Sequence, residues 1–424
     1  MNTATMTDPK ATVLPLLQAS AWPKAAEALA SAHALPIPTT RTEAWKYTRV
    51  GRLFNRPYAA PQGDASVQLP PRLPFAATRV VFVNGHFRAD LSDDLKQDKG
   101  IVVDGLRHHL SHGPVQAHYG TLAASGDRLF TAMNTAAPTD GLLLLATKGA
   151  KTGKPVHILR ITTAEAGPVL IQPRDLFLLH DGAEVEVIDE HIAFGETAAS
   201  LVNGIRESVV GEGAGLTLHL LQNEDNGPAD INRDVVRVAA NGRFSIDTTT
   251  LYGPLVRNEL DVALTGPGAH AELNGVYLLD GNAHCDNQSR IGHDVPDCTS
   301  DELYKGIVAG RATGVFNGKV HVKQDAQRTR AYQRNTNILQ GEDARVFSKP
   351  ELEIYADDVK CSHGCTIGRM DEQAVFYLRS RGVSEEEARR MMAHAFMTDV
   401  LERIANPDWR KHLEGMIDAK LETL

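Results

Sequence analysis

Between residues 80 and 367 the apolar positions fall into short runs with a period of two, separated by Gly, Asn and Asp. Residues 79–87, R-V-V-F-V-N-G-H-F, read as a strand closed by Asn84-Gly85, a dipeptide that tolerates positive φ. L-L-L-L-A-T at 142–147, V-H-I-L-R-I at 156–161, A-E-V-E-V-I at 183–188 and L-T-L-H-L-L at 216–221 read the same way. Glycines recur beside such runs at Gly182, Gly213, Gly242, Gly268, Gly314 and Gly341. Most of these spacings are about 25 to 30 residues, the beat of a coiling repeat. A sandwich would show turns every ~8–12 residues and no longer beat, whereas stacked coils bury one another's apolar edges. The predicted fold is mainly β: a right-handed parallel β-helix over residues 79–368, flanked by N-terminal and C-terminal helical domains.

The flanks carry a different pattern. Residues 1–10 read as a loose tail, and residues 13–34, rich in Ala and Leu, as helix kinked or divided by Pro15 and Pro23. A second short helix is predicted over 42–54, capped by Thr42, with Trp45, Tyr47, Val50, Leu53 and Phe54 as its apolar side. Residues 57–74 hold too much Pro, Gly, Gln and Asp for regular structure and read as a linker, which completes a region 1–78. Beyond Gly368 the period becomes helical. Residues 371–381 place Val375, Phe376 and Leu378 on one side, and Ser384-x-x-Glu387 is a capping box. Ala388, Met391, Met392, Ala395 and Phe396 follow at helical spacing until Asn406-Pro407, and a last helix is predicted over 409–421, closing a domain 369–424.

Composition removes several function classes. A net charge of -9 and a pI near 6.0 leave no basic footprint, which argues against nucleic acid. The four cysteines lie between Cys285 and Cys365 and are too sparse for a disulfide framework, so a reducing compartment is expected. No basic-then-apolar leader and no apolar run of about 18 residues is present, so a soluble, cytoplasmic protein without a membrane partner is expected. Gly314 to Val320, G-V-F-N-G-K-V, is one residue short of a nucleotide loop and lacks its Ser or Thr. H-E-x-x-H, C-x-x-C and G-x-S-x-G are absent, so hydrolase readings have no anchor.

Candidate chemistry concentrates at 348–367, S-K-P-E-L-E-I-Y-A-D-D-V-K-C-S-H-G-C-T-I. Turn residues there are expected to expose Cys361, His363 and Cys365, and a strand would put all three on one side. Thiolates and imidazole suit soft or borderline metals, but a closed tetrahedral site needs a fourth ligand, so completion by another subunit is the better chemistry. His284, Cys285 and Cys298 flank D-N-Q-S-R-I-G-H-D, read as a polar loop that includes His293, and the two thiols there read as packing residues.

These motifs, with E-A-W-K-Y-T at 43–48, F-V-N-G at 82–85, D-G-L at 140–142 and R-S-R-G-V at 379–383, closely resemble the SufB/SufD family of iron-sulfur cluster assembly, on its SufD side. The resemblance implies the same β-helix in a non-catalytic scaffold that pairs with a SufB-like paralogue and a SufC-like ATPase. A transient iron-sulfur cluster would be shared with the paralogue, and reduced flavin would enter at the level of the complex. His363 matches the SufD histidine that faces a SufB cysteine at the subunit interface. Cys361 is the family's adjacent cysteine, and Cys365 lies where relatives often carry a small residue. The C-terminal helices become a docking surface for the ATPase, with Tyr377, Arg379, Arg381, Met391, Met392 and Phe396 as candidates. The isolated chain would be a candidate homodimer. Two rival classes are a self-contained β-helical metalloprotein and a carbohydrate-active β-helix. The latter needs paired carboxylates on a coil face, and Asp357-Asp358, adjacent and alternating in direction, pair poorly.

Overall fold

Strands alternate between two sheets as the chain advances, so each pairs with a strand one coil away in sequence and seldom with its immediate neighbour. The computed structural model describes residues 8–18, 20–95, 98–163 and 167–424, so most of the tail expected at residues 1–10 lies outside the described residues. In one sheet Gly215 pairs with Arg243, Arg243 with His270, His270 with Thr299, Thr299 with Arg330 and Arg330 with Lys360, steps of 27 to 31 residues. All of these pairings are parallel, and the result is a parallel β-solenoid of about 8 turns with helices at both termini. The glycine beat has a physical basis at the coil corners, where Gly213 and Gly268 hold φ of 64° and 75°, a region that strains residues with a Cβ. Gly314 departs from that rule and lies inside the strand Thr313–Val322.

Between the sheets an apolar core runs along the coils, from Val80 and Phe82 through Leu216 and Phe244 to Tyr304 and Phe316. Of the stretch 286–294, expected as a loop, residues 286–293 belong instead to the strand His284–His293. Its polarity is misleading because the amides are satisfied inside the solenoid. Asn258 Nδ2 donates to Asn287 Oδ1 at 3.0 Å, Gln222 Nε2 to Asn258 Oδ1 at 3.0 Å, and Thr250 Oγ1 to Gln222 Oε1 at 2.7 Å. A fully bonded ladder of this kind makes polar side chains compatible with a buried strand.

Six α-helices occur among the described residues: α1 Ala25–Ala34, α2 Gly113–His118, α3 Leu129–Ala136, α4 Glu372–Arg379, α5 Glu385–Leu401 and α6 Pro407–Leu421. None is long and apolar enough to cross a membrane. The helix expected over 42–54 is two 3₁₀ turns, Glu43–Trp45 and Gly51–Asn55. Tertiary contacts override its propensity. Thr48 is buried and donates to Asp286 of the solenoid, Trp45 lies under the Arg257 guanidinium at 3.9 Å, and Tyr47 stacks on Phe347 at 4.2 Å. A continuous helix could not direct these three side chains onto one flat sheet.

At the other end Ser384 Oγ accepts the Glu387 N–H at 3.1 Å, as the capping signal predicts, and Asn406, expected only as a break, caps α6 through Asp408 and Trp409, so that helix starts at Pro407 and not at 409. Ala388, Met397, Leu401, Trp409 and Ile417 pack against Leu221, Val276, Leu278 and Ile307 of the solenoid. The helical tail therefore covers one outer face of the coil.

Candidate functional site

The strand Lys360–Gly368 is the last of its sheet, and Arg345–Ile354 is the last of the other. On one side Lys360–Gly368 pairs with Arg330–Gln340, placing Cys361 beside Ala331, His363 beside Gln333 and Cys365 beside Asn335. Among the described residues no strand covers the other side, so the solenoid stops at two free strand edges. Alternation puts Cys361, His363 and Cys365 on one side of the strand, as the spacing predicts. Their environments differ along the row. Cys361 is half-buried against Val320, Val322, Ala326 and Ala331, and burial raises its thiol above the ordinary value. His363 and Cys365 are exposed. With Asp301, Glu302, Gln333, Ser362 and Arg403, His363 lines a cleft of about 330 Å³.

Glu302, Gln333 and His363 stand in register across three successive strands of one sheet. Gln333 Nε2 donates to Glu302 Oε2 at 2.6 Å, and Glu302 is 1% exposed. Burial pushes the Glu302 carboxyl up to about 7 against the opposing hydrogen bond from Gln333. For an acid raised in the fold, stability is fully present below the unfolded value near 4.5 and is lost as pH rises through about 7. Glu302→Gln keeps the acceptor for Gln333 and removes that loss. The variant's advantage over the native chain should grow by about 2 kcal/mol between pH 5.5 and 8.5. Urea unfolding at the two pH values checks this, and an advantage that does not change with pH would show that Glu302 is not the titrating group.

Residues 160–396 match the family model described as SUF system FeS cluster assembly, SufBD core domain, and residues 22–158 match the SufBD protein N-terminal region. The chain belongs to the SufB/SufD family. It is 31% identical to an iron-sulfur cluster assembly SufBD family protein of Synechocystis, over 87% of this chain and 84% of that one. It is 29% identical to the iron-sulfur cluster assembly protein SufD of Escherichia coli, over 91% of this chain and 89% of the relative. The chloroplastic protein ABCI7 of Arabidopsis thaliana is 32% identical over 78% of this chain and 76% of its own. The resemblance read from the motifs is borne out, and with it membership in a family of iron-sulfur cluster assembly.

In this SufB/SufD chain the C-terminal candidates divide by exposure. Tyr377 and Met391 are exposed, Arg381 stacks over the Tyr377 ring at 3.7 Å, and Arg379 pairs with Glu385 at 3.1 Å. Met392 and Phe396 are half-buried against the solenoid cluster, with Lys305 Nζ 4.6 Å above the Phe396 ring. Phe376, grouped in the sequence with the core side of α4, is 71% exposed. A helix of 8 residues buries one narrow stripe, and Val375 with Leu378 fills it, leaving Phe376, about 100° further round, in solvent.

Cys285 and Cys298 are buried, their thiols pushed up to about 12 and about 11 by desolvation. Cys285 accepts from Asn287 Nδ2 at 3.4 Å, and Cys298 donates to the Gly266 carbonyl at 3.3 Å. Neither lies on the terminal strand. Sequence reading missed two buried charged groups in the early coils: Arg160 meets Asp189 at 2.7 Å inside the solenoid, and Arg174 meets Glu207 at 2.5 Å on the outer face of a sheet, under the segment around Tyr119. The only signal of the first is register: Asp175 pairs with Arg206, and Arg206 with Asp234, opposite charges one coil apart.

Proposed function

We propose that this chain is a SufD-type, non-catalytic scaffold that presents the open end of its solenoid to a SufB-like paralogue and its C-terminal helices to a SufC-like ATPase, in the cytoplasm. The observation that carries the reading is the row Cys361, His363, Cys365 on a strand whose outer edge is unpaired. A free edge is a template for another chain's backbone. The nascent cluster is cargo here. An iron site built of thiolate and imidazole needs about four ligands, whereas this strand offers exposed His363 and Cys365 with Cys361 partly committed to packing. Donors from the paralogue complete such a set, and His363 is the residue assigned to face them. The lack of a nucleotide loop fits an ATPase supplied by a separate subunit.

Exposed Phe376, Tyr377 and Met391 form the apolar part of the surface assigned to the ATPase. Deleting the tail would also uncover the solenoid face that α5 and α6 bury. Point substitutions are therefore the cleaner test. In a pull-down from cells co-expressing all three subunits, Phe376→Asp with Met391→Asp should lose the ATPase by about tenfold or more while retaining the paralogue. Undiminished ATPase on a normally folded double variant would place the docking surface elsewhere.

A further inference from the structure

Five strands of the same sheet separate Lys360–Gly368 from Glu184–Phe194, which carries His191 into the solenoid interior. Two acids approach it there. Glu224 sits at the corner that follows Gly215–Asn223, and Asp230 is the second residue of the strand Ala229–Val238. One ligand-capable atom from each of His191, Glu224 and Asp230 lies within 4.8 Å of the others. The three residues are 5%, 2% and 0% exposed.

Their hydrogen bonding is incomplete. His191 Nδ1 is 3.3 Å from Asp230 Oδ2, Gln222 Nε2 donates to Asp230 Oδ2 at 3.1 Å, and Thr162 Oγ1 donates to Glu224 Oε1 at 3.4 Å. Glu224 Oε2 and Asp230 Oδ1 have no partner although both are buried, a costly arrangement for carboxylate oxygens. The surrounding guanidiniums do not relieve it. Around the cluster, five carboxylates (Asp175, Asp189, Asp230, Asp234 and Glu224) share the buried layer with the guanidiniums of Arg160 and Arg206. Those guanidiniums pair with Asp175, Asp189 and Asp234, and none of these contacts goes to Glu224 or Asp230. Glu224 and Asp230 thus share a single imidazole between them, and a metal cation bound in place of its proton would neutralise both carboxylates.

We propose that His191, Glu224 and Asp230 hold one divalent first-row transition ion, of the zinc or manganese class, as a structural ion that ties the corner at Glu224 to the strand of His191. One imidazole with two carboxylates is a borderline-to-hard donor set suited to these ions. Asp189 Oδ1, 3.6 Å from His191 Nε2, stands where an orienting carboxylate supports a ligating histidine, and Gln222 fixes Asp230 in the same manner. The site is independent of the cluster-forming role assigned to the terminal strand.

The test uses the full chain carrying Cys361→Ser, His363→Ala and Cys365→Ser, which removes the donors of the terminal strand. It is expressed in medium supplemented with zinc or with manganese, dialysed against EDTA, and analysed by inductively coupled plasma mass spectrometry. About one equivalent of one of these ions should remain, because the ligands are closed to solvent. Glu224→Gln, which keeps the shape and the acceptor for Thr162, should lower the content about tenfold or more, and Asp230→Asn should do the same. The proposal is overturned if the folded parent chain keeps less than about a tenth of an equivalent after either supplement, or if Glu224→Gln retains the full amount.

Discussion

Replacing Glu207 with alanine is expected to cost about 3–5 kcal/mol of stability, the largest loss expected from any single substitution considered for this chain. The Glu207 and Arg174 side chains are fully buried and meet at 2.5 Å. Glu207 also accepts the N–H groups of Gly120, Leu122 and Ala123 at 2.7, 2.8 and 2.9 Å. Arg174 in turn donates to Thr135 Oγ1 at 2.8 Å and lies 4.8 Å over the Tyr119 ring. Alanine would leave a guanidinium uncompensated in the dry interior and would strip the segment around Tyr119 of its anchor. The cost comes from the stranded charge, so Arg174→Met combined with Glu207→Gln should be less destabilised than Glu207→Ala alone. Urea unfolding of the three chains measures both statements. A Glu207→Ala chain within about 1 kcal/mol of the native one would mean that the pair contributes little to holding the early coils together.

The same region shows what a linear reading can and cannot reach. Period-two alternation and the glycines at positive-φ corners made the solenoid legible, because each coil repeats the same geometric demand on the chain. The helix start at Ser384 was legible for a similar reason, since capping is local chemistry, whereas Asn406, read only as the break of the preceding run, also caps the helix that follows. The arm at 42–54 was not. Its periodicity favours helix, and only the docking of Trp45, Tyr47 and Thr48 onto the solenoid breaks it into two short turns. The strand Asp286 belongs to was read as a loop because a β-strand was expected to bury apolar residues, whereas this interior carries bonded amides at Asn258 and Asn287. The ion pairs Arg174–Glu207 and Arg160–Asp189 depend on which residues fall one coil apart, a register the composition does not reveal.

At the candidate site the donor row was legible from Cys361-x-His363-x-Cys365, since alternation alone places the three on one side. Their inequality was not. Packing of Cys361 against Ala331 and Val320 follows from the coil beneath it, and the exposure of His363 and Cys365 follows from the absence, among the described residues, of a coil beyond.

That inequality separates the consequences of two substitutions. His363→Ala alters an exposed side chain and should change stability by about 0.5 kcal/mol or less, leaving association with the SufB-like and SufC-like subunits intact. Cys361→Ala removes packed atoms and should register in stability first, by about 1 kcal/mol. Cluster chemistry should show the reverse order. If His363 supplies one of few ligands at the junction with the paralogue, its loss should lower metal retention about tenfold or more. The decisive measurement is the iron and acid-labile sulfide content of the three-subunit complex purified anaerobically with His363→Ala. Content at about a tenth of the native complex or below, with subunit stoichiometry unchanged, is the expected result, and native levels of iron and sulfide in that complex would contradict the assignment of His363 to the site.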